Sequence, residues 1–369
     1  MAGSVNNSAN GGTLSFPGKI AVITNLPSQT QNDEEFWSGE QLVVKYGTDK
    51  VIHVTWPSFF VQEREQIHSI VASLAVDREI RALVMNQAIP GCNAAVDKLK
   101  RIRDDIFFVY CTSHESPLEV IERANLVFAT DDVGEGPLLV KQAKKQGART
   151  FVHYSFPRHM SMVLWSSRRD SIREVCAAEG LQFVDALAVD PQDDSYGAQQ
   201  FISNDIPRLT AKYGEDTAFF CTNCFIQVPL IRAVVDNHAI FPQPCCPSPY
   251  HGFPEALGIE TAEDEVPPLG YVINESRRIA AEKKMTGRLS TWPVSVSMMS
   301  THAGFEYAVK WIKNQVPETG IDDKVLMNCM TAYIREVSGE DSKVFMSSYS
   351  EKGSVYDNYK LLLMDYLDY

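Results

Sequence analysis

No run of about 18 or more apolar residues occurs anywhere in this 369-residue chain, so nothing in it reads as a transmembrane helix. Basic charge is scarce as well: 34 Lys and Arg stand against 47 Asp and Glu, a formal net charge of −13. An acidic surface repels phosphate backbones and anionic lipid, which argues against nucleic acid or membrane insertion as direct partners. The start, MAGSVNNSANGG, lacks the basic and apolar stretches of a signal peptide. Two readings follow, a cytoplasmic protein or the mature part of an exported and lipid-anchored one. Export is the expectation, with the cytoplasm as the alternative.

Motifs for chemistry are missing too. There is no GxxxxGK[ST], no GxSxG and no HExxH. Gly134-Glu135-Gly136 begins a GxGxxG, but Leu139 stands where the third glycine belongs. None of the 8 histidines is spaced with another histidine or a carboxylate as metal ligands are. His153-Tyr154-Ser155 offers a base and a nucleophile, yet neighbours on a strand point to opposite faces. The expectation is a protein that is not an enzyme and uses no cofactor. The 8 cysteines are too scattered for a small disulfide scaffold. Cys221-x-x-Cys224 and Cys245-Cys246 supply four thiols, but adjacent cysteines turn apart and zinc sites draw on two separated pairs. No metal site is assigned on that ground, and the sequence leaves open whether these thiols are free, disulfide-bonded or metal-bound.

What is present is one repeated unit, an apolar run, a polar loop and an amphipathic helix. Runs at 19–25, 51–54, 82–86, 107–111 and 126–129 are short and β-branched, as buried strands are. Ile67, Ile70, Val71 and Leu74 fall at i, i+3, i+4 and i+7, a helical face. The alternation resumes with strands at 150–154, 182–186, 217–221 and 288–292, and Pro207 is expected to kink or end the helix that begins near Gly197. Strands alternating with helices predict parallel sheets covered on both faces. Two such sheets in succession predict two Rossmann-like lobes with a ligand cleft between them, beyond the strand ends. The predicted division is a tether over 1–17, a first lobe from 18–131 plus 293–340, a second from 132–292, and a C-terminal segment, 341–369, crossing or packing on the lobes.

The loops after the strands carry amides, hydroxyls, guanidinium groups and aromatic rings, the mixture that orients and covers a small polar ligand. The candidates are Asn25, Ser28, Gln29, Trp56, Phe59, Asn86, Gln87, Ser113 and His114 from the first half. Asp131, Ser155, Arg158, Arg168, Asn223, Tyr250 and Trp292 follow further along the chain.

FVHYSFPRHMS (151–161), DTAFFCTNC (216–224), CCPSPYHGFPEALGI (245–259) and TGRLSTWP (286–293) are long and compositionally odd. Through them, residues 18 to about 315 resemble an uncharacterised bacterial family of type I periplasmic-binding-protein-like domains. The resemblance implies an α/β fold of two lobes joined by three crossovers, closing on a sugar, nucleoside or similar small solute. It also implies a ligand-contacting arginine early in the helix after the second lobe's first strand, a place that Arg168 fits, with Arg169 as the register alternative. The expected function is therefore a solute-binding protein serving the permease of an ABC-type transporter. The alternative is the effector-sensing part of a transcription regulator, though too few residues precede the first strand for a DNA-binding helix-turn-helix.

Overall fold

The computed structural model describes residues 15–27, 33–57, 64–260 and 266–369. The first unit runs β1 (Lys19–Thr24), α1 (Glu34–Tyr46), β2 (Val51–Thr55), α2 (Arg64–Val76), β3 (Ile80–Asn86), α3 (Cys92–Lys100), β4 (Phe107–Cys111), α4 (Pro117–Ile121) and β5 (Leu126–Thr130). These strands are parallel, in the order β5-β4-β3-β1-β2. Their residues alternate between two cores, as a pleated strand buried on both sides must. Ile20 and Val22 of β1 join one cluster, Ala21 and Ile23 the other with Ile67, Val71 and Leu74 of α2.

The chain then enters a second unit: α5 (Asp132–Lys145), β6 (Thr150–Ser155), α6 (Pro157–Met160), α7 (Val163–Glu179), β7 (Gln182–Leu187), α8 (Ser195–Tyr213), β8 (Thr217–Cys221), α9 (Gln227–Asp236), α10 (Phe253–Leu257), α11 (Leu269–Glu282) and β9 (Ser290–Thr291). Its parallel sheet has the order β7-β6-β8. Single bridges extend it through Ile240 and Leu289. From β9 the chain returns to the first sheet with α12 (Val296–Ile312) and α13 (Asp323–Ser338). Helix α12 lies so close to β4 and β5 that a Cβ on Gly304 would stand 2.7 Å from Val109 Cγ1. Two strands, β10 (Val344–Glu351) and β11 (Ser354–Met364), add to the β5 edge. A last short strand, β12 (Leu367–Asp368), crosses back and pairs with β9. The molecule is thus two α/β lobes of mostly parallel sheet, linked by three passages of the chain.

Two sequence expectations change. Pro207 neither ends nor interrupts α8, which runs on to Tyr213. Ile202, Ile206 and Leu209 on either side of it are buried, and that packing outweighs the single backbone bond a proline removes. The strand expected over 288–292 contracts to Ser290–Thr291. The glycines of Gly134-Glu135-Gly136 sit inside α5, not in a phosphate loop. A Cβ at Gly134 would fall 2.2 Å from the Asp131 carboxylate that caps the helix, and one at Gly136 would stand 3.1 Å from the Arg168 carbonyl.

Candidate functional site

At the junction of the lobes, the segment that follows β1 meets one that follows β8. Contacts across it are direct: Ser248 of the second lobe donates to the Glu34 carboxylate at the start of α1. Burial raises Glu34 to about 7. Beside it, Glu35 accepts from Gln87 Nε2 and from Ser297 Oγ, each at 3.1 Å. Asn86 Nδ2 donates to Thr301 Oγ1 at 2.7 Å and to Ser297 Oγ at 3.0 Å. His114 Nε2 lies 2.5 Å from Gln87 Oε1. Gln87 and Thr112, directly after the adjacent strands β3 and β4, both have φ of 51°. Left-handed backbone at non-glycine residues is costly and gathers at functional sites.

Other first-lobe candidates are engaged locally. Trp56 is buried, and its indole N–H donates to the Asn86 carbonyl at 2.9 Å. The Asn25 carbonyl accepts from Thr24. Ser113 Oγ accepts from the Glu115 N–H at 3.2 Å. Asp131 accepts from the Gly134 N–H at 2.9 Å as the N-cap of α5. Ser28, Gln29 and Phe59 lie outside the described residues.

In the second lobe, Arg168 is buried with its Nη1 2.6 Å from Glu135 and 3.4 Å from Asp132. Gln243 donates to the same Glu135. Burial drives the Glu135 carboxyl upward against the pull of Arg168. Arg169 instead faces Asp170 and Asp185. Arg158 forms a two-point ion pair with Asp190, both bonds 2.8 Å. Ser155 Oγ meets Thr222 Oγ1 at 3.2 Å, and His159 Nδ1 meets the same hydroxyl at 2.8 Å. Burial lowers His159 to about 4, so it is a neutral imidazole at neutral pH. Tyr154 and His153 do point oppositely, Tyr154 to Asp205 and His153 to Asp185. Trp292 is wholly buried, and the Tyr250 hydroxyl donates to the Pro267 carbonyl.

Asn223 caps the short turn that begins at Cys224, accepting from the Phe225 N–H at 2.9 Å. There the Sγ atoms of Cys224, Cys245 and Cys246 meet the His251 ring, with all four candidate ligand atoms within 4.8 Å of one another. Adjacent cysteines diverge only in extended chain, and Cys245 and Cys246 form a bend. Cys221 is absent from this group. It lies on β8 facing the core, where burial pushes its thiol up to about 12.

Comparison with known proteins now decides the family. Residues 18–290 match the family described as "Protein of unknown function (DUF3798)". The chain belongs to that family. A Treponema pallidum (strain Nichols) protein described as "Uncharacterized protein" is 34% identical over 196 residues, 52% of this chain and 88% of that one. A second protein of that strain is 36% identical over 141 residues, 38% of this chain and 64% of its own length. Among solved structures, a "Putative transcriptional regulator" from Clostridium difficile 630 superimposes with a TM-score of 0.83 at 21% identity, covering 96% of this chain and all of its own. A sugar ABC transporter protein from Actinomyces odontolyticus gives 0.54 at 11% identity over 83% of this chain and 86% of its own. A sugar ABC substrate-binding protein from Bordetella parapertussis gives 0.52 at 12% over 97% and 92%. This chain has the type I periplasmic-binding-protein fold.

The structure joins Asn86, Gln87 and His114 by hydrogen bonds to two groups the sequence reading did not select, Glu35 and Ser297. Glu34-Glu35 after Asp33 reads as an ordinary acidic first turn of a helix, so it carried no separate signal. A cavity of about 370 Å³ opens elsewhere, lined by Lys45, His302, Glu306, Tyr333 and Glu336 among others. It holds none of the strand-end candidates, and Lys45 is already paired with Glu336 at 3.0 Å.

Proposed function

We propose that this chain is a solute-binding protein whose lobes close on a small polar ligand, of sugar or nucleoside kind, for delivery to an ABC-type permease. The observation that carries the reading is the hydrogen-bonded group at the strand ends, Glu35, Asn86, Gln87 and His114, next to Glu34, which accepts from Ser248 of the second lobe. Carboxylate and amide oxygens accept from ligand hydroxyls, and burial strengthens such bonds. The fold shared with sugar-binding components of ABC transporters supports it. On this reading the protein works outside the cytoplasm as a binder, not an enzyme. Among the described residues, no helix is long and apolar enough to cross a membrane.

The test is a panel of sugars, polyols and nucleosides screened by thermal shift, together with mass spectrometry of any co-purifying small molecule. A hit should contract the radius of gyration in solution scattering, and Gln87→Ala should weaken it about tenfold or more. A saturating hit with unchanged radius and unaltered Gln87→Ala affinity removes the reading. A second reading, an effector-sensing regulator subunit, draws on the Clostridium difficile neighbour, matched over its whole length. It expects the same ligand binding but a DNA-binding partner in place of a permease.

A further inference from the structure

We propose that Cys224, Cys245, Cys246 and His251 form a tetrahedral site for a thiophilic divalent cation of the zinc class, at the second lobe's side of the junction. The spacing of the donors is the first argument. Cys224 Sγ lies 3.3 Å from Cys245 Sγ and 3.9 Å from Cys246 Sγ, and the two adjacent thiols are 3.9 Å apart. His251 Nε2 lies 4.0 Å from Cys245 Sγ. Ligands about 2.3 Å from a tetrahedral ion stand about 3.8 Å from one another, so a zinc-sized ion fits among these atoms with small shifts.

The donor types select the ion. Three sulfurs and one imidazole nitrogen suit zinc, whereas calcium and magnesium require oxygen ligands. The imidazole is already oriented for the role. His251 Nδ1 donates to the Cys246 carbonyl at 3.0 Å, which turns Nε2 toward the sulfurs, as the outer hydrogen bond of a metal-bound histidine does. A Cys224–Cys245 disulfide would use two of the four groups and leave the placement of Cys246 and His251 without a purpose. Binding displaces the thiol protons to solvent, so no electron transfer is involved.

The ligands come from the short turn after β8 and from the Pro-rich stretch 242–254, which has no long regular element of its own. An ion there ties this stretch down and so holds Ser248, two residues beyond Cys246, against Glu34 of the first lobe. Cys246 is exposed, which gives the ion a path in. The site consists of second-lobe residues alone and does not depend on the solute reading.

The full chain, purified with reductant and without chelator, should carry about one zinc per chain by elemental mass spectrometry. Cobalt in its place should show thiolate-to-metal charge-transfer absorption, and X-ray absorption should fit three sulfurs and one nitrogen. Cys246→Ser and His251→Gln should each weaken zinc about tenfold or more in chelator competition, with Cys176→Ser as the control that leaves it unchanged. Cobalt spectroscopy on the unaltered chain keeps the test decisive should a variant misfold. The proposal falls if the reduced chain, offered zinc, takes up less than about a tenth of an equivalent and cobalt gives no charge-transfer band. It falls equally if zinc leaves the reactivity of Cys224, Cys245 and Cys246 unchanged.

Discussion

The two lobes offer different chemistry on matching architecture. At the first lobe's strand ends, amides, hydroxyls and one carboxylate bond to one another: Glu35, Asn86, Gln87, Ser297 and Thr301. At the second lobe's, a buried cation faces two acids, and three thiols meet an imidazole. Parallel β–α units deliver loops to the same place in both. The residues in those loops then decide whether the surface is neutral and hydrogen-bonding or ionic and soft. The contrast teaches that one architecture can carry two chemistries, a neutral hydrogen-bonding surface proposed to contact solute and an ionic, sulfur-rich one proposed to hold a metal ion.

The contrast can be broken most directly at Arg168. Arg168→Ala leaves Glu135 and Asp132 buried without their cation, and should cost about 3–5 kcal/mol in urea unfolding. A cost below about 1 kcal/mol would mean that the second lobe is not held by ionic pairing. Arg168→Met with Glu135→Gln, which removes both charges and keeps the volume, should recover much of the loss.

Next comes a histidine of the first lobe, outside the site. His302 stacks on Tyr333 at 4.1 Å, and burial, with Lys45 nearby, lowers it from 6.5 to about 3. Because the folded value lies below the unfolded one, its contribution is complete above pH 6.5 and disappears as pH falls toward 3. Unfolding near pH 4 should therefore be easier than at neutral pH by about 3 kcal/mol from this group. His302→Phe should lose that share of the pH dependence. Identical acid sensitivity in the two proteins would show that the ring carries no proton penalty.

Smaller effects sharpen the picture. Trp56→Phe keeps the ring in its core but removes the bond to Asn86, and should cost about 1 kcal/mol in thermal or urea unfolding. A cost several times larger would mean that the indole does more than tie β2 to β3. Arg158→Ala should change stability by less than about 1 kcal/mol, because the pair with Asp190 is 43% exposed on the arginine side. A large loss of solute affinity in that variant, with stability intact, would move Arg158 from the frame into the ligand site.

Much of the fold was legible because each buried strand carries its own signal. Phe107–Cys111 and Thr217–Cys221 match their predicted bounds to the residue. The pair β10 and β11 was not legible. Ser347, Ser348 and Ser350 break its apolar pattern, and its residues are mostly half-buried or exposed. Only pairing with the β5 edge makes it part of the sheet. Of the candidate site, Asn86, Gln87 and His114 were legible as polar residues at strand ends, where open parallel sheets place ligands. Trp56 and Trp292 were selected by the same rule, but it cannot tell a ring facing the junction from one facing the core.

By itself the sequence determined the alternation of strand and helix, hence parallel sheets and two lobes, because hydrophobic periodicity is local and survives in any context. It determined equally that the helices expose acids and that no described helix suits a membrane. Tertiary structure alone decided which polar groups meet. Cys224 and His251 are 27 positions apart in the chain and meet only in the folded structure, beside the bend at Cys245 and Cys246. Glu34 and Ser248 are separated by 214 positions, and their contact exists only where one lobe rests against the other. Spacing along a chain says little about distance once the path between has turned several times, and that is the reason the chemistry of the junction had to await the fold.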